Sequence, residues 1–329
     1  MSRPLRIGKI YLDIYMGNFV LSFTQLTKKD VAIAGGKGAS LGEMTRAGIP
    51  VPPGFVVLAS AFERFLHETD LEADIEAQLG KVSYKDINSV DRYSNVIRDL
   101  INDAKMPQDL QILITKEFKK LKVKYVAVRS SATAEDSSQA SWAGELETYL
   151  NTTDKALLKR VKDCWSSLFT PRAIFYRHEK KLHKAKVSVA VVVQAMVQSE
   201  IAGIVFTVHP VTKDKKQMII EAGIGLGEAV VSGQITPDSY VIDKTTFGIL
   251  DINVAEQARY LVQKPGGGNV WKNLTKTKGG QQKLAGRQVI KLAKICLNIE
   301  KHYKFPCDIE WAYAKGKFYI TQSRPITTL

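Results

Sequence analysis

The first half of the chain is dominated by apolar residues that recur every three or four positions, the spacing that brings side chains to one face of an α-helix. This spacing predicts helices at about residues 39–46, 59–67, 71–79, 91–104, 108–121, 155–169 and 171–181. Short runs rich in β-branched residues predict strands between them, at about 55–58, 125–130 and 147–150.

The pattern changes near Lys186, where an almost continuous apolar run covers residues 187–196. Residues 264–287 are rich in Gly and Lys, which predicts a mobile loop, and a helix is predicted at 288–303. Further strands are predicted at about 204–208, 218–221, 239–242, 308–313 and 317–322.

A helix-rich half followed by a strand-rich half indicates an α/β (α+β) chain with two lobes. We expect an unassigned N-terminal extension at 1–20, a first lobe at 21–185 and a second lobe at 186–329. Large ligands commonly bind in the cleft between two lobes, so a cleft site is expected.

Charge and cysteine usage narrow the class of protein. The formal net charge is +14, but the lysines are scattered and not interleaved with aromatic residues, which favours solvated faces over a nucleic-acid surface. No apolar run approaches the roughly 20 residues that span a bilayer. The three cysteines, Cys164, Cys296 and Cys307, contain no C-x-x-C pair. We therefore expect reduced thiols in a cytoplasmic protein that does not contact membranes.

The segment 126–136 carries an arginine from a strand end into a loop of small hydroxyl residues. The guanidinium of Arg129, the hydroxyls of Ser131 and Thr133 and the loop's backbone N–H groups are donors suited to a polyphosphate. Residues 138–144, which end at Gly144, are a candidate flap over such a ligand. The alternative is an exposed turn with an ordinary ion pair to an acidic neighbour.

A glycine-rich turn, Gly35-Gly36-Lys37-Gly38, precedes the first predicted helix. Glycines allow close approach of the backbone to a ligand, and a helix N-terminus with a nearby lysine attracts anions. The spacing is not that of a Walker loop. The alternative is a helix entry whose lysine is merely solvated.

Two further segments are candidate ligand contacts. Gln194, Met196 and Val197 end an apolar strand, where the backbone can pair with an adenine edge while the methionine packs on the ring. A buried strand with a gap-filling methionine is an equal alternative. Glu228 follows a glycine turn whose spacing is not that of a dinucleotide fingerprint, so Glu228 is a candidate ligand or helix cap.

The closing hairpin carries two carboxylates, Asp308 and Glu310, on one face of a strand, where paired carboxylates suit Mg²⁺. Gln322 and Arg324 alternate likewise on the return strand. All four share a face if the loop has three residues, 314–316, with Gly316 left-handed, and we predict that loop. The alternative is a half-exposed hairpin without ligands.

Taken together and in this order, these segments resemble the N-terminal nucleotide-binding domain of phosphoenolpyruvate synthase (pyruvate, water dikinase). They are also similar to pyruvate, phosphate dikinase and rifampicin phosphotransferase. The resemblance covers about residues 32–326 and is carried by the segments 36–44, 51–55, 126–136, 165–169, 203–207, 225–233, 237–238, 308–311 and 322–325. The hydroxyl loop resembles the water-dikinase branch more than the phosphate-dikinase branch.

The resemblance implies an ATP-grasp fold with the nucleotide between two lobes. It implies that ATP and Mg²⁺ phosphorylate a histidine on a separate swivelling domain, leaving AMP and phosphate. The implied ligands of the phosphates, the adenine and the metal are, in chain order, Lys37, Arg129, Gln194, Met196, Val197, Asp308, Glu310, Gln322 and Arg324. Lys37, Arg129 and Arg324 are the implied catalytic groups.

The family's phosphohistidine segment and its pyruvate-binding domain have no counterpart in this sequence. None of the five histidines, at positions 67, 178, 183, 209 and 302, lies in the expected Gly-Gly and Ala-rich context. We therefore expect an incomplete enzyme whose partner domains act in cis or in trans. The alternatives are a stand-alone ATP-binding sensor, or the ATP domain of a rifampicin-type phosphotransferase.

Overall fold

The computed structural model describes residues 18–133, 147–180 and 188–326. They form two compact units. Unit 1 contains the described residues up to Ala39 together with Gly54–Gln194, and unit 2 contains Ser40–Pro53 and the described residues from Ala195 onwards. The predicted lobes at 21–185 and 186–329, and the cleft between them, stay predictions.

Unit 1 is a five-stranded sheet covered by helices, with strand order β1-β2-β5-β3-β4. Its strands are β1 (Val20–Ser22), β2 (Gly54–Val57), β3 (Val126–Ala132), β4 (Thr148–Thr152) and β5 (Val189–Ala195). Its helices are α1 (Val31–Arg46, which continues into unit 2), α2 (Ala59–Glu68), α3 (Leu71–Leu79), α4 (Ile87–Asp103), α5 (Gln108–Lys120), α6 (Asp154–Ser166) and α7 (Pro171–Glu179). Each of the seven helices predicted for this half of the chain overlaps one of these helices, and the four residues at the centre of each predicted range are helical.

The core of unit 1 is built around the buried indole of Trp165 at the end of α6. The rings of Phe62 and Phe65 on α2 stack against it, with centroids 5.5 and 5.0 Å away. Offset aromatic contacts add to the free energy gained from burying such large side chains. This packing fixes α6 and the residues after it, Ser167–Phe169, which form a short 3-10 turn.

Unit 2 is a six-stranded antiparallel sheet of order β13-β12-β6-β7-β8-β9 and a separate ribbon of two strands. The strands are β6 (Ile201–Phe206), β7 (Gln217–Ile224), β8 (Asp238–Asp243), β9 (Ile249–Asn253), β10 (Arg259–Gln263), β11 (Asn269–Asn273), β12 (Cys307–Ala314) and β13 (Lys317–Pro325). The helices are α8 (Glu228–Val231), α9 (Lys276–Gly279) and α10 (Gly286–Tyr303). Together the units confirm a mixed α/β chain.

The prediction of a loop over residues 264–287 is wrong. β11 pairs with β10 across the glycine turn, and α9 and the start of α10 follow. Glycines 266, 267 and 268 all have positive φ, so they form the turn of a hairpin rather than a long irregular segment. Local composition concealed β11, because the strand is stabilised by its partner.

A buried ion pair connects the segment after α9 to strand β8 of the sheet. Lys283 Nζ lies 2.9 Å from Asp238 Oδ1, and neither side chain is exposed. The ammonium group also donates to the carbonyl oxygens of Ala255 and Gly279, and Tyr240 Oη donates to Asp238 Oδ2 at 2.9 Å. The charges are therefore fully compensated, which is the condition for burying them.

Within the described residues, no helix combines the length and the apolar character needed to cross a bilayer.

Replacing Lys283 by Met should lower the free energy of unfolding by about 3–5 kcal/mol, because Asp238 is left charged without its cation. The matched control is Lys120→Met, which removes the exposed pair between Lys120 and Glu117 and should cost about 0–1 kcal/mol. Urea unfolding of both variants measures the difference. Equal losses of unfolding free energy in the two variants would show that the buried pair contributes no more to stability than the exposed pair.

Candidate functional site

The phosphate-binding candidate Arg129 lies on β3 of unit 1 and is 7% exposed. Its direct cross-strand neighbour is Thr148, the first residue of β4. Residues opposite one another in antiparallel strands share a face of the sheet. The structure therefore adds the Thr148 hydroxyl to the groups around this guanidinium, a residue to which the sequence analysis gave no role.

The glycine-rich turn is held against β3 by Ser131. Ser131 Oγ donates to the carbonyl oxygen of Ala34 at 3.0 Å and accepts from the N–H of Gly38 at 3.3 Å. Gly35 has a φ of 68°, and a Cβ at this position would collide with Ser131. Only glycine fits this close approach, and it kinks α1 (Val31–Arg46) between two helical segments, so the prediction that the glycine-rich turn precedes the helix is wrong. The hydroxyl of Ser131 thus fixes the turn, and its predicted ligand role stays a prediction.

Lys37 is half-buried in the same turn. Burial raises the pKa of the Cys164 thiol to about 12, and the positive charge of Lys37 opposes that shift. Lys37, Ser131 and Arg129 are therefore parts of one unit, with the turn bonded to the strand that carries Arg129. Two cations and a helix beginning at a glycine kink suit an anion.

Thr133, at the end of the described part of β3's loop, has its hydroxyl engaged with Ser188. Thr133 Oγ1 donates to the Ser188 carbonyl oxygen at 3.1 Å and accepts from the Ser188 N–H at 3.2 Å. Its ligand role stays a prediction. Gly144 and the candidate flap at 138–144 lie outside the described residues.

Gln194 occupies the last position of unit 1, near the end of β5, and is 2% exposed. Its Nε2 has no hydrogen-bond partner among the residues that the structure describes. An unsatisfied buried amide costs about 1–3 kcal/mol, so a ligand acceptor at this position would be favourable. Met196 and Val197 follow in unit 2 and are half-buried.

In unit 2, the closing hairpin has a different turn from the predicted one. Ala314 pairs with Lys317, which leaves a loop of two residues, Lys315 and Gly316, with φ values of 50° and 77°. The prediction of a three-residue loop is wrong. Two successive residues with positive φ give a turn whose twist matches that of the strands.

The four polar residues nevertheless share a face, because the register shifts inside the hairpin. Trp311 pairs with Ile320 but Glu310 pairs with Gln322, so Thr321 is an extra residue on β13. This bulge places Asp308 opposite Arg324. The predicted common face therefore forms by a β-bulge and not by the loop.

Negative charge dominates this face of the sheet. Arg324 donates to Asp308 Oδ2 from Nε at 2.9 Å and from Nη2 at 2.7 Å. Burial still raises the pKa of Asp308, with Glu310 adding to the shift and Arg324 opposing it. Burial also raises the pKa of Glu221 on β7, and the charge of Asp308 adds to that shift.

Glu221 belongs to the same row as the predicted metal ligands. It lies opposite Ile204, which in turn lies opposite Glu310. The side chain of Glu221 makes no hydrogen bond or ion pair with the described residues. Spacing along the sequence carries no signal for this placement, because only the strand order β12-β6-β7 brings residue 221 to residue 310.

The carboxylates fit Mg²⁺ only as a partial ligand set. Among the described residues, no three His, Cys, Asp or Glu side chains are arranged to hold a metal ion together. Mg²⁺ commonly binds one or two carboxylates and completes its octahedron with water and substrate phosphates. Asp308 and Glu310 match that mode, in which the metal arrives with a polyphosphate.

Glu228, a predicted ligand or cap, is the first residue of α8. Its Oε2 accepts from Asn269 Nδ2 on β11 at 3.1 Å, and burial raises its pKa while Asn269 opposes the shift. The preceding Gly225 has a φ of 98°, which agrees with its predicted role as a turn former. Glu228 therefore links α8 to the ribbon, and its ligand role stays a prediction.

Residues 31–329 match the family described as pyruvate phosphate dikinase, AMP/ATP-binding domain. A probable phosphoenolpyruvate synthase of Methanocaldococcus jannaschii is 46% identical over 318 residues, which cover 94% of this chain and 27% of the relative. The corresponding protein of Methanothermobacter thermautotrophicus is 44% identical over 321 residues, with coverage of 95% and 47%.

A rifampicin phosphotransferase of Bacillus subtilis is 36% identical over 317 residues, which cover 95% of this chain and 36% of the relative. The chain thus spans between about a quarter and a half of the length of these curated relatives.

Glu221→Gln should stabilise the protein at pH 7.5, raising Tm by about 1–3 °C, because it removes a half-buried negative charge beside Asp308. A raised folded-state pKa means that the folded protein binds the proton more tightly, so stability falls as pH rises through that pKa. The gain should therefore shrink at pH 4. Thermal melts at both values measure it.

The control is Asp243→Asn. Backbone N–H groups of Thr246 and Thr245 lower the pKa of Asp243, so its removal should destabilise the protein at pH 7.5. If both variants shifted Tm in the same direction, the charge argument for Glu221 would be wrong.

Proposed function

The chain belongs to the pyruvate phosphate dikinase AMP/ATP-binding domain family, and on that premise we propose that it is the nucleotide-binding part of a phosphoenolpyruvate-synthase-like dikinase. In this role it uses ATP and Mg²⁺ to phosphorylate a histidine on a separate swivelling domain, giving AMP and phosphate overall. The fold proposed for this part is the ATP-grasp fold. A pyruvate-binding domain, in cis or in trans, is the other proposed partner.

The observation that carries the proposal is the bonding of two cation-bearing segments of unit 1 to each other. Arg129 and Lys37 lie on two segments that Ser131 bonds together, and each is partly or wholly shielded from water. A fixed guanidinium binds phosphate oxygens bidentately, and a lysine adds a point charge. We assign both groups to the phosphates of ATP.

The carboxylate face of unit 2 supports a role in metal binding. Asp308 and Glu310 would hold Mg²⁺, with Gln322 beside Glu310 on the neighbouring strand. When bound there, Mg²⁺ would neutralise charge on phosphate oxygens. Arg324, which is paired with Asp308 in the structure, would supply a further cation for the phosphates.

The adenine contacts are proposed at Gln194, Met196 and Val197. The buried amide of Gln194 offers a donor that the described residues do not satisfy, and a polar edge of adenine would accept from it. Met196 is half-buried and can pack on the ring face.

Phosphoryl transfer to histidine needs alignment and charge neutralisation more than a nucleophile from the binding domain. The residues of this chain would accordingly orient the triphosphate and balance its charge, while the acceptor nitrogen comes from the partner domain. This division explains why cations and carboxylates, rather than a nucleophile, make up the candidate site.

A second candidate is the ATP-binding domain of an antibiotic phosphotransferase. The observation in its favour is the 36% identity to a rifampicin phosphotransferase over 95% of this chain. The two candidates share the ATP-binding half and differ in the final acceptor. The higher identity of 46% to a probable phosphoenolpyruvate synthase favours the first.

Arg129→Ala and Glu310→Ala should each weaken binding of ATP with Mg²⁺ by about ten- to a hundredfold, because each removes a charged ligand. Titration calorimetry measures the change. The matched controls are Arg92→Ala and Glu256→Ala, which remove exposed residues of the same types in the same units and should leave affinity unchanged. Unchanged affinity in both site variants would reject the assigned site.

Transfer is tested by mixing the chain with a separate phosphohistidine domain and ATP labelled in the β-phosphate. We expect acid-labile label on the histidine of that domain, and no label when Arg129 is replaced by Ala. ATP binding without any transfer would instead support the stand-alone sensor.

A further inference from the structure

We propose that the buried hydroxyl of Ser167 is a positioning residue for the phosphate-binding groups of unit 1, and that it acts through Ser130. The inference rests on the proposed function, because it takes Arg129 to be a phosphate ligand. Ser167 belongs to the segment 165–169, to which the family resemblance assigns no ligand.

Ser167 and Ser130 form a closed hydrogen-bonded cluster. Their hydroxyl oxygens are 2.9 Å apart, and Ser167 Oγ lies 2.7 Å from the carbonyl oxygen of Cys164. Ser130 directs both its N–H and its hydroxyl to the carbonyl oxygen of Glu147, each at 3.1 Å. Ser167 is 0% and Ser130 1% exposed, so solvent does not compete for these bonds.

The number of protons makes the two serines depend on one another. Each hydroxyl has one proton to donate and can also accept. The two hydroxyl protons are shared among the carbonyl oxygens of Glu147 and Cys164 and the contact between the serines, and Ser130 Oγ also lies 3.3 Å from the Cys164 carbonyl oxygen. When one serine donates to the other, the Ser130–Ser167 contact is a hydrogen bond, and the cluster links β3 to the end of α6.

The cluster lies on the opposite face of β3 from the proposed ligand. Ser130 and Arg129 are consecutive in a strand, so their side chains point to opposite faces. Arg129 lies opposite Thr148, and Ser130 binds the residue just before Thr148. The cluster therefore stabilises the register in which Thr148 of β4 faces the guanidinium of Arg129.

That choice of residue accompanies a shift of register between β3 and β4. Val126 pairs with Thr152 but Val128 with Tyr149, so β4 contains one extra residue, and Asn151 there has a φ of 52°. Without this bulge Arg129 would face Tyr149. The serine cluster lies on the Arg129 side of the bulge and holds the shifted register.

Ser166 provides a matched control within the same turn. It is also 0% exposed, and its Oγ donates to the carbonyl oxygen of Asp163 at 2.9 Å, the same type of bond that Ser167 makes to Cys164. No hydrogen bond between Ser166 and β3 is present in the described part of the chain. Loss of either hydroxyl should thus have similar effects on folding, but only Ser167 should affect the phosphates.

The experiment compares Ser167→Ala with Ser166→Ala by titration calorimetry with ATP and with AMP, and by thermal melts. We expect Ser167→Ala to weaken ATP binding by about three- to tenfold, the effect of one buried hydrogen bond. AMP affinity should change less than twofold, and Tm should fall in both variants, at least as far for Ser167→Ala because Ser167 has one more buried contact. Equal loss of ATP affinity in both variants, or equal loss for ATP and AMP in Ser167→Ala, would overturn the proposal.

A second pair of variants covers the case in which the alanine variant does not fold. Ser167→Thr and Ser167→Val add the same bulk, but only threonine retains the hydroxyl. The threonine variant should bind ATP at least threefold more tightly than the valine variant, and equal binding would overturn the proposal. Ser130→Ala should weaken ATP binding similarly, and adding Ser167→Ala should cost no more.

Arg129→Ala, measured in parallel, distinguishes failure of the positioning role of Ser167 from failure of the proposed phosphate site. Weakened ATP binding in this variant with no effect at Ser167 rejects only the positioning role. No effect at Arg129 rejects the proposed phosphate site, and the inference fails with it.

Discussion

Strand register is the constraint on which the candidate groups of each unit depend. Successive residues of a strand point to opposite faces, so a shift of one residue moves every later side chain to the other face. In unit 1 the register shifts between Val126 and Val128, and in unit 2 between Glu310 and Trp311. Both irregularities lie within a few residues of charged groups. Each bulge selects the neighbours of a proposed ligand, Thr148 for Arg129 and Gln322 for Glu310.

The buried carboxylates of unit 2 have different partners on the two faces of its sheet. On one face Asp238 is completely buried, but Lys283, Tyr240 and two backbone N–H groups satisfy its carboxylate. On the other face burial raises the pKa of Glu221 and of Asp308, and Arg324 offsets only part of this for Asp308. The compensated charge of Asp238 stabilises the connection between its strand and the segment of Lys283. The face with Glu221 and Asp308 retains excess negative charge that a bound cation would offset, which is typical of a binding site.

The sequence predicted those features that short-range patterns determine. The helix Leu71–Leu79 has the predicted bounds, because its apolar spacing and the following glycine act locally. β11 was missed because its partner lies across a turn of three glycines. The hairpin turn was wrong although its carboxylates were correctly placed on one face, since a bulge at Thr321 replaced the extra loop residue. Glu221 and Thr148 were not assigned because strand order, not sequence spacing, brings them to the site.

The hydroxyl residues show why residue type alone assigns roles incompletely. Ser131 and Thr133 lie close to Arg129 in sequence and are predicted phosphate donors, yet each hydroxyl in the structure, like that of Ser130, binds another segment of unit 1. A neutral hydrogen bond to a ligand competes with water, whereas the same bond between buried groups leaves a costly unsatisfied atom if it is broken. Charged groups gain more from a polyphosphate than hydroxyls do. In the structure the serines and the threonine hold segments of unit 1 together, and we propose that the arginine and the lysine bind the anion.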